Sequence, residues 1–204
     1  MRPAHHHFIT AQVHELRPTQ VAVGFCEVVK KQEEWRQLDS KERKQLINNH
    51  WFPSVMGPGQ HYFIVDHHHL GLALHHEGAE QVNLTVLKDL SWLAPNVFWK
   101  LMEFHQWVHP YDENGKRIEF DQIPKSISEL KDDLYRGLAG EVRKSGGFAK
   151  DVTPYSEFLW ADYYRTKLSV KTLKKDWHKA VTHAFELAKS EEARYLPGWC
   201  GALK

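Results

Sequence analysis

The first ninety residues alternate between short apolar runs and polar segments, with lengths typical of a mixed α/β chain. Residues 61–65 form an apolar run that predicts a strand, and apolar and polar residues alternate over 82–86, which predicts a second strand paired with the first. Between them, residues 68–77 have the apolar spacing of a helix that ends before Gly78, a residue suited to the C′ position.

Upstream of this region the pattern is less regular. Residues 12–29 are predicted as a strand or extended segment, because β-branched valines and a permissive glycine occur there. Pro18 interrupts this segment. Asp39 and Glu42 have the spacing of a capping box and predict a helix over 40–49. Residues 57–59, Gly-Pro-Gly, predict a turn.

The second half of the chain has helical periodicity. Helices are predicted from Pro95 to about residue 108, over 126–146 as one helix of about five turns, over 154–163 and over 169–188. These elements indicate an α+β fold: a small mixed sheet with helices over residues 1–92, and a mostly helical region over 93–204 packed on that core.

The composition is that of an ordinary folded protein, with 42% hydrophobic and 26% charged residues. A formal net charge of +1 excludes the global basic field of a nucleic-acid coating protein. Cys26 and Cys200 form no CxxC pair, and no apolar run approaches the roughly 20 residues that span a bilayer. We therefore expect a cytoplasmic protein that is neither exported nor embedded in a membrane.

Three of the chain's 15 histidines follow the predicted strand directly, as Asp66-His67-His68-His69. A helix N-terminus presents unpaired N–H groups and the positive end of the helix dipole, and imidazoles add further donors. With Asp66 at the N-cap, this turn is a candidate anion site. The alternative is an ordinary aspartate cap followed by surface histidines.

A metal site is a second alternative, because carboxylate and imidazole ligands suit zinc, iron or manganese. Histidines seven residues apart on the helix are separated by roughly 10.5 Å of rise, too far to share one ion. Only Asp66, His67 and His69 could converge locally, joined by a distant residue such as His61 or His109.

Other polar residues could contribute to the same site. Thr19, Gln20 and Gly24 could line a pocket against the Asp66 turn, and Lys30, Lys31 and Arg36 could supply positive charge. The last predicted helix has a basic face that could contact a nucleic-acid backbone, although a solvated helix surface is the simpler explanation. That face comprises Lys171, Lys174, Lys175, His178 and Lys179.

A resemblance rests on Leu16-Arg17-Pro18-Thr19-Gln20, Gly57-Pro58 and Val65-Asp66-His67-His68-His69-Leu70, and it continues through Asp132-Asp133-Leu134-Tyr135-Arg136 and Gly146-Gly147-Phe148-Ala149-Lys150. These segments resemble the bacterial ParB-like nuclease family of the ParB/sulfiredoxin superfamily. The resemblance implies the superfamily's α+β fold and a nucleotide phosphate at the strand-to-helix turn. It covers nearly the whole chain.

The chain also departs from members of that superfamily. A free-serine kinase has Asp-Gly-His-His-Arg at the turn, whereas here His67 replaces the glycine and Leu70 replaces the arginine. Gln20 stands where the kinase has its glutamate base, and an amide does not accept a proton at neutral pH. Sulfiredoxin has its reactive cysteine where this chain has His68, so sulfinic acid repair is not expected.

These observations lead us to expect a phosphate-ester enzyme, nuclease-like or phosphotransferase-like. We predict catalytic roles for Asp66, His68, His69 and Lys30. Phosphate binding is predicted for Thr19, Gln20, Gly24, Gly57 and His67. ATP or ADP, a divalent Mg²⁺ or Zn²⁺ ion and nucleic acid are the expected ligands, and the alternatives are a non-catalytic nucleotide- or DNA-binding module and a metal-dependent enzyme.

Overall fold

The computed structural model describes residues 7–201, in which the chain forms two compact units. The first unit comprises the described residues up to Val23 together with Val28–Lys131, and the second comprises Gly24–Glu27 and the described residues from Asp132 onward. The α+β fold class predicted from the sequence is confirmed. The predicted boundary at residue 92 stays a prediction, because compactness does not test independent folding.

The first unit contains a five-stranded mixed sheet in the order β1-β6-β4-β5-β2. Its strands are β1 His7–Gln12, β2 Arg17–Pro18, β4 Trp51–Gly57, β5 His61–Ile64 and β6 Gln81–Asp89, and the chain also contains the short strands β3 Ala22–Val23 and β7 Lys131–Asp132. Neighbours β1/β6 and β4/β5 are antiparallel, whereas β4/β6 and β2/β5 are parallel.

Both strands predicted around the histidine turn exist, but their predicted pairing is wrong. Strand β6 has the expected alternation, with Val82, Leu84 and Val86 buried, yet it pairs with β1 and β4. Strand β5 instead joins β4 and β2. Alternation of apolar and polar residues indicates which face of a strand is buried. The strand with which it pairs depends on long-range contacts, which the local sequence pattern does not contain.

The first unit also contains helices α2 Ser40–Asn49, α4 Pro95–Phe104 and, from Val28 onward, part of α1 Phe25–Gln37. The extended segment predicted through residue 29 is wrong from Phe25 onward, because Val28 and Trp35 lie one heptad apart and are both buried on α1. The capping box of α2 is confirmed: Asp39 accepts from the N–H of Glu42, whose side chain accepts from the N–H of Asp39.

Helix α3 His68–His76 lies between β5 and β6 in the chain and is buried from His68 to Leu74. Its C-terminus has the predicted glycine: Gly78 has φ 69°, its N–H donates to His75, and the N–H of Ala79 donates to Leu74. This is a Schellman motif, which satisfies carbonyls at the helix end.

The second unit contains helices α5 Leu134–Lys144, α6 Ser156–Lys167, α7 Val170–Lys175 and α8 Trp177–Ala188. The single long helix predicted over 126–146 is wrong. Residues Ile127–Glu129 form a separate 3-10 turn, and α5 begins after its own cap, Asp133, whose carboxylate accepts from the N–H groups of Tyr135 and Arg136.

The helix predicted over 169–188 is likewise two helices. Ser169 caps α7 as predicted, but Asp176 leaves helical geometry and caps α8 by accepting from the N–H of Lys179. The core of this unit is rich in aromatic rings, and Phe148 stacks on the fully buried Trp160 at 4.1 Å between centroids. Within residues 7–201, no helix is long and apolar enough to cross a membrane.

Candidate functional site

The turn between β5 and α3 has a different cap from the one we predicted. The N-cap is His67, which has left-handed backbone angles of φ 64° and ψ 22°, rather than Asp66. Asp66 lies one residue earlier, and its Oδ1 accepts a 2.6 Å hydrogen bond from the N–H of His67. The side chain of His67 makes no capping hydrogen bond, so the N-cap residue does not itself satisfy the N–H groups of the first turn of α3.

His68, the first residue of α3, is buried and bonded to a distant segment. Its Nε2 accepts a 3.1 Å hydrogen bond from the backbone N–H of Thr19, and the Thr19 hydroxyl donates to the Ile64 carbonyl over 2.9 Å. A backbone N–H can only donate, so Nε2 carries no proton and the neutral ring holds its proton on Nδ1. Thr19 therefore links the end of β5 to the start of α3.

Burial lowers the pKa of His68 to about 3, with the His67 ring acting in the same direction and Asp66 opposing. The ring is therefore neutral at pH 7. A neutral imidazole whose Nε2 is already an acceptor supplies neither a positive charge nor an acidic proton from that nitrogen.

The remaining residues of the turn have different environments. His67 is partly buried, and its ring meets Phe52 and His50 edge-on at centroid distances of 5.4 and 6.4 Å. Asp66 is exposed, whereas His69 is 9% exposed. The turn thus combines one exposed carboxylate with three imidazoles in graded burial.

Gln20 and His109 adjoin the Thr19 end of this arrangement. The Gln20 amide donates to the carbonyl of Ala22 over 2.8 Å, and residues Gln20 and His109 form an isolated parallel bridge. The N–H of His109 donates to the Thr19 carbonyl, and its ring stacks on Tyr111 at 4.6 Å. The sequence suggested His109 only as a distant metal ligand.

Gly57, Gly24 and Lys30 were also predicted to belong to the site. Gly57 is in β4, where an added Cβ would lie 2.6 Å from the Phe63 ring and 2.7 Å from Phe98. Gly24 belongs to the second unit, where its Cβ would lie 2.5 Å from the Cα of Gly137. Lys30 is an exposed residue of α1. Both glycines are therefore explained by close packing, and the role predicted for Lys30 stays a prediction.

His50 and Phe52 are the neighbours of the turn that the sequence did not reveal. His50 ends α2 and Phe52 lies in β4, so neither has a local motif that relates it to His67. Burial of Phe52 was predictable from its apolar character, whereas the ring contact depends on the tertiary fold.

Within the described residues, no three His, Cys, Asp or Glu side chains are grouped so that they could hold a metal ion. Asp66, His67 and His69, the local ligand set predicted from the sequence, therefore do not form such a group. A fully protein-ligated zinc site, which typically needs three or four such ligands, does not fit this arrangement.

Comparisons with known proteins support the fold and also identify a protein family. A family model described as "Putative ParB-like nuclease" matches residues 9–166, more than half of the chain. The crystal structure of protein Atu1540 from Agrobacterium tumefaciens matches with a TM-score of 0.91 and 42% sequence identity, over 97% of this chain and 98% of that chain. None of the curated proteins matches. The chain belongs to the ParB-like nuclease family.

Proposed function

We propose that the protein binds a phosphate group of a nucleotide or nucleic acid at the N-terminus of α3 and acts on a phosphate ester there. The observation that carries the proposal is the position of His67, His68 and His69 at the N-terminus of α3, directly after strand β5, where the positive end of the helix dipole lies. Membership of a nuclease family favours a phosphodiester over other anions.

The geometry suggests separate roles for the histidines. His68 is a positioning residue, because its Nε2 accepts from Thr19 and its neutral ring fixes the start of α3. Proton transfer is assigned to His69, the other histidine of the first helical turn, with Asp66 as the accessible carboxylate. Lys30 remains a candidate for charge neutralisation.

A divalent ion and ATP or ADP stay within the proposal. Mg²⁺ retains several waters and is usually held by one or two carboxylates together with substrate phosphates, so it does not require a preformed group of three ligands. Asp66 is the residue of the turn that fits such an ion. When bound, Mg²⁺ would supply charge neutralisation at the phosphate.

The test uses the full chain, purified without a histidine tag, against labelled single- and double-stranded oligonucleotides and against ATP, with and without Mg²⁺. His69→Ala should abolish turnover, whereas His76→Ala, an exposed histidine at the other end of α3, should leave it unchanged. Equal turnover of both variants and the parent would overturn the assignment of His69.

A second candidate function is a non-catalytic nucleic-acid-binding module. It is favoured by one observation: all five residues of the basic face on α7 and α8 are exposed, as a backbone-contacting surface requires. Those residues are Lys171, Lys174, Lys175, His178 and Lys179. DNA binding that weakens steeply with salt and is accompanied by no turnover would favour this module over the enzyme.

A further inference from the structure

The second unit contains a small cavity that the phosphate site does not use. Its volume is about 170 Å³, and it is lined by Cys26, Asp132, Leu134, Gly137 and Trp177. All lining residues except Gly137 are partly exposed, so molecules from solvent can reach the cavity. The surroundings are apolar apart from one carboxylate and two weakly polar groups, the thiol and the indole N–H.

The carboxylate of Asp132 has unused acceptor capacity. Its Oδ1 accepts a 2.9 Å hydrogen bond from the N–H of Phe25, the first residue of α1. Within the described residues it makes no other hydrogen bond and no ion pair. Burial raises the pKa of Asp132, and the charge of Asp133 acts in the same direction, whereas the hydrogen bond from Phe25 and, less strongly, the charge of Lys174 oppose the shift. Oδ2 is therefore left to accept from a ligand.

Gly137 keeps the cavity open. An added Cβ at this position would lie 2.8 Å from Sγ of Cys26 and 3.7 Å from Cη2 of Trp177. A side chain would therefore crowd two of the lining residues.

The size and polarity of the cavity limit what it can hold. A cavity of about 150 Å³ in an apolar protein core accommodates one benzene ring. A ligand of this size that satisfies Oδ2 needs a hydrogen-bond donor on one edge and an apolar body against Leu134 and Trp177. Two carboxylates act here, but Asp133 is paired with Arg165 and Lys174 offsets the charge of Asp132, so a cationic ligand gains little over a neutral one.

We propose that this cavity binds a neutral six-membered aromatic ring that carries an amino group, with the amine donating to Asp132 and the ring packing against Trp177. A free aromatic amine and the exposed base of a nucleotide both present this chemistry. The site is independent of the phosphate site at α3.

The test exploits the two cysteines of the chain, neither of which is in a disulfide. Cys26 lines the cavity and Cys200, which is exposed, does not. Alkylation of each thiol is followed by mass spectrometry in the presence of aniline or of toluene, which replaces the amino group with a methyl group. We expect aniline to slow alkylation of Cys26 saturably and at lower concentration than toluene does, with Cys200 unaffected.

Asp132→Asn provides the matched variant, because an amide oxygen can still accept from Phe25 while the NH₂ group faces the cavity. Two donors then meet, so the aniline concentration that gives half protection should rise about tenfold, with the effect of toluene unchanged. Asp162→Asn, an exposed carboxylate of the same unit, should behave like the parent. Leu134→Phe fills the cavity and should remove protection by either compound.

The same protection assay with cytosine, which carries an amino group, and with uracil, which carries a carbonyl oxygen in its place, distinguishes a nucleobase from a free aromatic amine. Protection by cytosine and not by uracil assigns the cavity to a nucleobase, whereas protection by aniline alone assigns it to a free aromatic amine. Equal protection by aniline and toluene, stronger protection by the cationic benzylamine, or no protection by any of these compounds overturns the proposal. These outcomes do not depend on turnover at α3, so they are distinguishable from failure of the proposed function.

Discussion

The backbone N–H of Thr19 donates to Nε2 of His68 over 3.1 Å, across 49 positions of sequence. This hydrogen bond joins the residue that follows β2 to the first residue of α3. Because it requires the unprotonated Nε2, it holds the His68 ring in the neutral form with its proton on Nδ1. The second histidine of the turn is therefore better explained as support for the site than as an acid or base.

The first prediction concerns this support. His68→Ala removes the acceptor of a buried N–H and leaves a cavity, so the free energy of unfolding should fall by about 1–3 kcal/mol for the unpaired donor alone, and further for the lost packing. Urea unfolding measures the change. His76→Ala, an exposed residue of α3, should differ from the parent by less than about 0.5 kcal/mol. Equal stability of the two variants would contradict the buried role of His68.

The second prediction concerns pH. The pKa of His68 is about 3 in the folded protein and 6.5 as a model value, so between these pH values the unfolded chain binds the additional proton. Stability from this group is therefore fully present above pH 6.5 and is lost as the pH falls toward 3.

The comparison uses His68→Gln, whose Oε1 can accept from Thr19 but does not titrate. Between pH 7 and pH 5 the parent should lose about 2 kcal/mol more of its unfolding free energy than this variant does. Other titrating groups are common to both proteins and cancel in the difference. Parallel pH profiles would show that His68 is not buried as a neutral ring.

The sequence predicted features that depend on neighbouring residues. The capping box at Asp39, the glycine C′ residue at Gly78 and the helix that begins at His68 each follow from the chemistry of a few consecutive positions. Helix α1 was missed because Val21 and Val23 suggested an extended segment that was continued through residue 29, whereas burial of Val28 and Trp35 on one face decides the conformation after Gly24.

The candidate site was predictable as a place on the chain rather than as a set of contacts. The motif located residues 66–69, but the bond between His68 and Thr19 requires β2 and β5 to be neighbours in the sheet. Gly57 was predicted to bind phosphate. The close approach of the Phe63 and Phe98 rings, which requires a glycine at this position, depends on the tertiary fold and is not visible in the sequence.

A third prediction separates binding from chemistry at the turn. Asp66→Asn keeps an oxygen that can accept from the N–H of His67 and removes a negative charge beside the proposed phosphate. Phosphate-containing ligands should therefore bind more tightly, particularly at low salt, while turnover falls if the carboxylate takes part in the reaction. Titration calorimetry and the oligonucleotide assay measure the two effects. Weaker binding without Mg²⁺ would contradict an anion site at this position.

A fourth prediction concerns Gly57. In Gly57→Ala the added methyl group would lie 2.6 Å from the Phe63 ring, so the aromatic side chains must move and the free energy of unfolding should fall by about 1–3 kcal/mol. If Gly57 serves packing alone, ligand affinity per folded molecule should equal that of the parent. A selective loss of affinity at unchanged stability would instead support the phosphate-binding role predicted from the sequence.

The last prediction concerns the cap of α5. Asp133 is 1% exposed, accepts from two N–H groups of the helix and pairs with Arg165 over 2.6 Å. Asp133→Ala should cost roughly 3–5 kcal/mol, because it leaves a largely buried guanidinium beside an uncapped helix. Asp133→Asn retains the cap and loses only the charge, so its loss of unfolding free energy should be smaller.

Asp162→Asn is the control. It removes the more exposed of the two carboxylates that pair with Arg165 and should cost no more than about 1 kcal/mol. Thermal and urea unfolding rank the three variants, and a loss in Asp133→Asn equal to that in Asp133→Ala would assign the whole effect to the ion pair and none to the cap.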